Sequence, residues 1–337
     1  MKRSMVIPIL TAVAGLTALV SLTLGRYPVE LADLAGFIGL PFSPAPDLSA
    51  REGQILKNIL VDIRLPRITA AMLIGAGLSV SGAVFQSMFI NPLVSPGLLG
   101  VLAGASFGAA VGMILATSWW AVQASAFTFG MIAVMAALGL SALNRGDRLL
   151  MLILGGIISG ALFTSLLSVV KYLADPYEQL PAIVYWLMGG LSAVDRATVL
   201  FTCGPMVGGV LILILLAGYL NVLSMGDEEA RALGVNVRLL RFIFIFLATV
   251  ISALTVVLGG MIGWVGLLIP HIARMIVGPD NRILLPATAL IGAIYLLLAD
   301  NIARLLFSVE IPIGILTSLV GIPFFAFVLR RTKKGWN

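Results

Sequence analysis

The sequence has very little cysteine, histidine or charge. Among its 337 residues there is one cysteine, Cys203, and one histidine, His271. A disulfide takes two cysteines and zinc sites usually take several Cys and His ligands, so neither can be formed within one chain. Charged residues account for only 11% of the chain, whereas soluble domains have about 25%. This composition excludes a soluble protein and indicates one that crosses a membrane several times.

Lysine is also scarce, and its positions exclude a nucleotide site of the P-loop type. The lysines are Lys2, Lys57, Lys171, Lys333 and Lys334, and none of them follows a glycine. A P-loop needs Gly-Lys-Ser/Thr, because backbone amides and the lysine hold the phosphates. The chain does not bind ATP by that route, and we expect it to bind no cofactor and no metal of its own.

Long apolar runs fill most of the sequence, which is 60% hydrophobic with a mean hydropathy of +1.10. A membrane core takes about 20 apolar residues per helix, so we expect an all-α integral membrane protein with one domain, 1–337, and roughly ten spans. The apolar runs predict spans near 5–24, 68–89, 97–115, 119–142, 149–172, 197–220, 239–258, 261–277, 283–304 and 312–329. The first run lacks a small-residue cleavage site, which favours a membrane helix over a cleaved signal peptide.

The distribution of basic residues predicts the topology. Ten spans put both termini on one side of the membrane. That side has thirteen Lys and Arg residues and five Asp and Glu residues, whereas the other side has eight Lys and Arg and ten Asp and Glu. Cytoplasmic loops carry the excess of Lys and Arg, so both termini are expected in the cytoplasm. The basic residues then serve as topology signals, and we expect no nucleic acid partner.

Two segments do not have the pattern of a span. The stretch 26–67 is long and polar, and we expect an external loop there. The segment "PAIVYWLMGG", 181–190, begins with Pro, ends with Gly and is too short to cross. It predicts a short re-entrant or interfacial helix on the outer side, where protein or a water-filled cavity must satisfy its backbone.

The two halves of the chain share a pattern. Residues 73–100 and 246–274 each join a helix rich in small residues to a shorter one interrupted by Gly and Pro. The predicted topology runs these segments in opposite directions. This favours an inverted repeat, an architecture typical of transporters.

The predicted spans hold almost no charge that could drive transport. Ion-coupled carriers usually place an ionisable group near the bilayer midplane. Only Asp300 and Arg304 come close, near the outer end of the ninth span, and at four residues apart they can pair with each other. An ion-coupled secondary carrier is therefore disfavoured, and an enzyme would need a cluster of ionisable groups that is not evident. Energy from a partner is the remaining explanation.

The segment "SMGDEEARALGV", Ser224–Val235, is unusually acidic and is predicted in the cytoplasm. Ser224 can cap a helix, the three acids after Gly226 favour its positive end, and Gly234 offers a left-handed stop. We expect a helix of about nine residues, roughly 13 Å long. It is either a contact for the partner or simply a solvated loop helix.

Several motifs together resemble the FecCD-type permeases of ABC importers. They are "RLPR" at 64–67, "GAGLSVSGAVFQSMFINPLVSPGLLG" at 75–100, "GDEEARALGV" at 226–235, "GWVGLLIPHIAR" at 263–274, "LLLADNIAR" at 296–304 and "EIPIGILTSLVGIPFF" at 310–325. The resemblance covers nearly the whole chain from Arg64. Such permeases import iron-siderophore complexes, haem, cobalamin or, in some members, molybdate or tungstate.

The resemblance implies a permease subunit rather than an enzyme. It implies a homodimer of ten-helix subunits in the bacterial inner membrane, with the pathway along the subunit interface. Two cytoplasmic ATPase subunits, which hold ATP and Mg, and a periplasmic binding protein are the implied partners. The cargo is expected to be a metal chelate moved by alternating access, with a molybdate or tungstate oxyanion as the alternative, because the selecting contacts lie mainly on the binding protein.

The resemblance also assigns residues. The coupling helix that contacts the ATPase matches a loop at about 222–238, and its residues are Gly226, Asp227, Glu228, Glu229, Ala230, Arg231, Ala232, Leu233 and Gly234. On the outer face Arg64, Arg67 and Arg304 match the basic residues that meet acidic side chains of the binding protein, for which the planar guanidinium is suited. The alternative for these three arginines is anchoring at the membrane interface.

The pathway lining is expected to come from the fifth span, the short outer helix and the tenth span. The candidate residues are Ser159, Thr164, Ser165, Ser168, Tyr185, Trp186, Met188, Thr317 and Ser318. Plain helix packing is the alternative for each of them, because small polar residues also pack membrane helices.

Two further features are interpreted as structural. His271 lies near the cytoplasmic end of its span beside Arg274, where helix packing or a contact with the ATPase is preferred over metal binding. A face of small residues in the second span predicts close helix contact, and its members are Gly75, Gly77, Ser79, Gly82 and Ala83.

Overall fold

A computed structural model describes residues 5–27, 29–30, 33–34, 50–116, 118–143 and 148–332. Within those ranges the chain forms helices and no strand. Lys2, Arg3, Lys333 and Lys334, which were used to predict the topology, lie outside the described residues, as does most of the segment 31–49 in the predicted external loop. The all-α expectation is confirmed for the part of the chain that is described.

The helices follow one another along the chain with short connections. In order they are α1 (Val6–Thr23), α2 (Ala50–Lys57), a π-helical segment (Asn58–Arg64), α3 (Leu65–Met88), a 3-10 turn (Pro96–Leu99), α4 (Val101–Leu115), α5 (Trp119–Ala142), α6 (Arg148–Leu173), α7 (Gln179–Leu187), α8 (Arg196–Leu215), α9 (Ala217–Leu223), α10 (Asp227–Ala232), α11 (Val237–Gly259), α12 (Val265–Val277), α13 (Asn281–Leu305) and α14 (Ile313–Thr332).

Seven of these helical segments are long and apolar enough to cross a membrane. They are Val6–Thr23, Gly53–Met88, Trp119–Ala142, Leu149–Leu173, Arg196–Leu215, Val237–Gly259 and Asn281–Leu305. Three shorter apolar helices accompany them, at Val101–Leu115, Val265–Val277 and Ile313–Phe327. Each predicted span overlaps one of these segments, so the protein is a membrane protein. The number of crossings and the inverted repeat stay predictions.

The second span is much longer than the sequence indicated. Helical structure is continuous from α2 through the π-helical segment into α3, so residues 50–67 are helical and not part of a polar loop. The reason is an apolar stripe on the helix. Leu56 and Leu60 are buried against Val29 and Leu34 in a small separate core.

Helix α3 is the central helix of the subunit. It packs against α11, α12 and α13, and most of its residues are buried. Two backbone contacts bring neighbours unusually close: a Cβ on Gly75 would lie 2.1 Å from the carbonyl oxygen of Gly292, and one on Gly82 would lie 1.8 Å from that of Gly266. The predicted face of small residues is therefore confirmed as a packing surface.

We predict that Gly82→Ala destabilises the protein by about 1–3 kcal/mol, because the added methyl group must displace the α12 backbone. The matched control is Gly139→Ala in α5, where a Cβ has no neighbour within 4 Å and where alanine favours the helix. Thermal unfolding of the purified protein in detergent measures both variants. Equal stability of the two would contradict the proposed contact.

Candidate functional site

The acidic segment forms the short helix α10, which begins and ends at glycines. Gly226 precedes it with a φ of 121° and Gly234 follows it with a φ of 77°, so the predicted left-handed stop is confirmed. The prediction that Ser224 caps the helix is wrong. Its hydroxyl instead donates to the carbonyl oxygens of Leu220 and Asn221 in α9. Because Ser224 still belongs to the end of α9, α10 has six residues and not about nine.

One face of α10 is held against the rest of the chain. Ala230 is fully buried, and the carboxylate of Asp227 pairs with Arg241 on α11 and lies 3.6 Å from Arg231 within α10. The opposite face is open, with Glu228, Glu229, Arg231, Ala232, Leu233 and Gly234 all exposed. Helix α10 is thus fixed to the membrane part while presenting charged and apolar groups outward.

A group of polar side chains connects the base of α10 to the core. The amide of Asn221 in α9 donates to Asp280 at 2.6 Å, and both nitrogens of Asn281 donate to the Asn221 oxygen at 2.8 Å. The hydroxyl of Ser87 donates to the Asn281 oxygen at 2.9 Å. We call Ser87, Asn221, Asp280 and Asn281 the cytoplasmic amide cluster, after the side on which the sequence predicts it. It links α9 to the end of α3 and to the start of α13.

The sequence reasoning missed this cluster. Asp280 before Asn281 is a recognisable N-cap, and the structure places it there with its side chain accepting from the Arg282 backbone. The partner Asn221 is 60 residues away in sequence. Nothing in the local pattern pointed to their contact.

At the opposite end of α3, Arg67 holds two carboxylates at once. Its guanidinium donates to both oxygens of Asp300, with the shortest contact at 2.9 Å, and to both oxygens of Glu310, at 3.0 and 3.1 Å. Arg304 lies 3.9 Å from Asp300, so the predicted pairing on α13 is confirmed. We call Arg67, Asp300, Arg304 and Glu310 the outer ion cluster, after the side on which the sequence predicts it. It joins α3 to α13 and to the loop before α14.

The three arginines assigned to docking are all buried. Arg64, Arg67 and Arg304 are exposed by only 3%, 8% and 8%. Arg64 donates to the backbone carbonyls of Leu22 and Thr23 at the end of α1 and to that of Tyr27 just after it. Arg304 donates to Asn301 at 2.7 Å. Their guanidinium groups are occupied within the chain, so contact with a second protein stays a prediction.

The predicted short outer helix is present as α7. Its C-terminal end is fixed where Gly190 donates to the carbonyl of Gly259 at 2.9 Å. A Cβ on Gly314 at the start of α14 would lie 2.3 Å from the carbonyl of Met188. Behind α7 is a cavity of about 520 Å³, whose lining includes Trp119, Gln123, Tyr185, Trp186 and Thr198. The segment at the C-terminal end of α7 therefore contacts the end of α11 and the start of α14, and the cavity lies on another side of α7.

The predicted pathway residues fall into buried, half-buried and outward-facing groups. Ser159 and Thr317 are buried, and Ser159 donates to the carbonyl of Ala133 on α5. Both side chains are covered within the subunit as it stands here, and their place in the pathway stays a prediction. The side chains that face outward are Thr164, Ser165, Ser168 and Tyr185, whereas Trp186, Met188 and Ser318 are half-buried.

His271 is half-buried in α12, and its ring meets the edge of Phe324 at a centroid distance of 6.5 Å. Within the described ranges, no group of three or more His, Cys, Asp or Glu side chains is arranged to hold a metal ion. The ring contact fits the packing interpretation of His271.

The chain is similar to known transport proteins over almost all of its length. The model of the FecCD transport family matches residues 11–331. The molybdate import system permease protein MolB of Haemophilus influenzae is 40% identical over 97% of this chain and 95% of its own. The hemin transport system permease protein HmuU of Yersinia pestis is 37% identical, covering 82% and 84% of the two chains. A solved inward-facing conformation of a putative metal-chelate type ABC transporter matches with a TM-score of 0.86 and 39% identity, covering 97% of this chain and 99% of that one.

We predict that Arg67→Met lowers the free energy of unfolding by about 3–5 kcal/mol, because it leaves the buried carboxylate of Asp300 without its main partner. The matched control is Arg196→Met. Its pair with Asp62, at 3.8 Å, is exposed on both sides, and such pairs contribute about 0–1 kcal/mol. Denaturant unfolding in detergent compares the two variants. A loss at Arg67 no greater than that at Arg196 would show that the outer ion cluster does not hold the helices together.

Proposed function

The chain belongs to the FecCD transport family, and from this premise we propose that it is the membrane-spanning permease of an ATP-driven importer. Permease subunits of such transporters are not themselves enzymes. The observation that carries the proposal is α10: a short helix anchored through Asp227 and Ala230, with an exposed charged face. A permease that does not hydrolyse ATP needs such a contact to receive force from a partner.

We propose that the working assembly contains two copies of this chain, two cytoplasmic ATPase subunits and a periplasmic binding protein. ATP and Mg would be held by the ATPases. The assembly would lie in the bacterial inner membrane with both termini of this chain in the cytoplasm. The outward-facing side chains of α6, including Thr164, Ser165 and Ser168, would then meet the second copy along the pathway.

Force would reach the core through α9 and the cytoplasmic amide cluster. A displacement of α10 moves α9, to which it is joined by three residues, Ser224 to Gly226. Asn221 is hydrogen-bonded to Asn281, and Asn281 in turn accepts a hydrogen bond from Ser87, so the displacement would pass along these two contacts. The helices α3 and α13 carry the outer ion cluster at their far ends, so a push at the ATPase side changes the geometry at the outer side.

We propose a metal chelate as the cargo. Support comes from the similarity to HmuU, whose name assigns hemin, and to the solved metal-chelate type transporter. Molybdate is the second candidate because MolB matches over nearly the full length. Identifying the cognate binding protein and measuring whether it retains haem, an iron chelate, cobalamin or molybdate decides between them.

We propose that the binding protein docks at the outer ion cluster. Because the arginines of this cluster are buried, docking requires a change in their contacts. An acidic side chain of the binding protein can reach Arg67 or Arg304 only by replacing an internal partner. Asp300 is 1% exposed, whereas the side chain of Glu310 is 28% exposed. Glu310 is therefore the carboxylate that the binding protein would displace.

We predict that Glu229→Arg and Gly234→Val each abolish coupling. The first reverses a charge on the exposed face of α10, and the second places a β-branched residue at a positive φ, where it is strained. Cargo uptake and ATPase co-purification are measured in the reconstituted assembly. Glu30→Arg, an exposed acid outside α10, is the control. Cargo uptake at the wild-type rate in both α10 variants would contradict the coupling assignment.

We predict that Glu310→Gln strengthens docking of the binding protein several-fold, because a neutral amide competes less well for Arg67. The affinity of the loaded binding protein is measured by surface plasmon resonance on the detergent-purified permease. Asp62→Asn neutralises an exposed acid near the same end of the molecule and should change affinity much less. If Glu310→Gln leaves the affinity at the wild-type value or weakens it, Arg67 does not receive the binding protein.

A further inference from the structure

A second cavity, of about 450 Å³, opens at the end of the subunit that carries α10. It lies between the end of α3, the end of α9, α12 and the start of α13. Its polar lining residues are Gln86, Ser87, Asn91, Ser224, His271, Arg274 and Asn281, and no acidic residue lines it within the described part of the chain. Ser87 and Asn281 also belong to the cytoplasmic amide cluster, whereas Gln86, His271 and Arg274 take no part in the coupling or docking assignments.

Arg274 gives the cavity a positive charge without a matching carboxylate. Its Nη1 donates to the oxygen of Gln86 at 2.7 Å, and the amide nitrogen of Gln86 donates to the carbonyl of Leu267 at 3.2 Å. Gln86 is thus oriented so that its oxygen holds the guanidinium. In the described ranges no Asp or Glu lies within ion-pair distance of Arg274, whereas Arg67 pairs with two carboxylates and Arg241 pairs with Asp227.

The surrounding groups are arranged to accept an anion. His271 precedes Arg274 by three residues on α12, which puts both on the same side of the helix. Asp280 is the nearest acid in sequence, and its carboxylate is engaged by the Asn221 amide and the Arg282 backbone. A half-buried guanidinium among amides and hydroxyls is most favourable when an anion completes its hydrogen bonds.

We propose that this cavity binds a phosphate-class oxyanion, with Arg274 as the ion-pairing residue. The planar guanidinium matches the spacing of two phosphate oxygens. Basic pockets between membrane helices on the cytoplasmic side commonly take lipid headgroups. The rim fits that source, because the apolar residues Ile90 and Met275 line the opening and are 59% and 69% exposed. A free phosphate has the same chemistry and is the other source.

The lipid source is tested by native mass spectrometry of the delipidated full-length permease. Cardiolipin and phosphatidylglycerol are compared with phosphatidylcholine as the probes. We expect retention of the anionic lipids, and a drop in their affinity of about 10- to 100-fold in Arg274→Gln, the range for losing a charge-assisted hydrogen-bonded contact. Arg238→Gln, an exposed arginine at the same end of the molecule, is the matched control and should retain them.

The free-anion source is tested by equilibrium dialysis of the same protein with labelled inorganic phosphate, with chloride at equal ionic strength as the reference. Arg274→Lys keeps the positive charge, so in whichever of the two assays detects binding it should retain more binding than Arg274→Gln. Thermal unfolding and gel filtration check that the variants fold. Binding in either arm that depends on Arg274 supports the site. No binding in both arms, or equal loss in Arg274→Gln and Arg238→Gln, overturns it, and neither result bears on ATP-driven import.

Discussion

The direct backbone contact of α3 with its neighbours is the constraint on which the rest of the subunit depends. At Gly82 and Gly75 the helix meets the carbonyl groups of Gly266 in α12 and Gly292 in α13, closer than any side chain would allow. Lipid is as apolar as leucine, so helices in a membrane associate through close packing and interhelical hydrogen bonds. Glycine permits that packing, and α3 therefore becomes the central helix around which α12 and α13 are positioned.

Polar interactions are concentrated at the two ends of that central helix. The outer ion cluster joins α3 to α13 through Arg67 and Asp300, and the cytoplasmic amide cluster joins the same two helices through Ser87 and Asn281. Between them the contact is made by glycine and small residues. A pair of helices tied at both ends and packed closely between them moves as a unit, which suits the transmission of a displacement from α10 to the outer face.

The sequence predicted the positions of the helices well because hydropathy depends only on local composition. Every predicted span corresponds to a helix, and α7 and α10 were expected where they occur. The helical extension before α3 was missed because its polar residues hid a narrow apolar stripe formed by Leu56 and Leu60. The capping role of Ser224 was wrong because a hydroxyl can bond backward to α9 as well as forward.

Long-range partners could not be predicted from the sequence. Arg67 and Asp300 are 233 residues apart, and Arg67 and Glu310 are 243 apart. The pattern showed that arginines were present at the outer ends of helices but not what they contact. The same limit applies to the partners of Asn221 and to Arg274, which has no carboxylate beside it among the described residues. The resemblance assigned roles to positions, and only the fold shows which side chains are already occupied.

The most direct test of the account is to compare energy sources in one proteoliposome preparation. Vesicles that contain the permease alone are given a proton or sodium gradient. Vesicles that contain the permease, its ATPase and the loaded binding protein are given ATP on the side of the membrane that the ATPase faces. The account predicts cargo uptake only in the second case, with ATP hydrolysis stimulated by the loaded binding protein. Uptake by the permease alone, driven by the ion gradient, would contradict it.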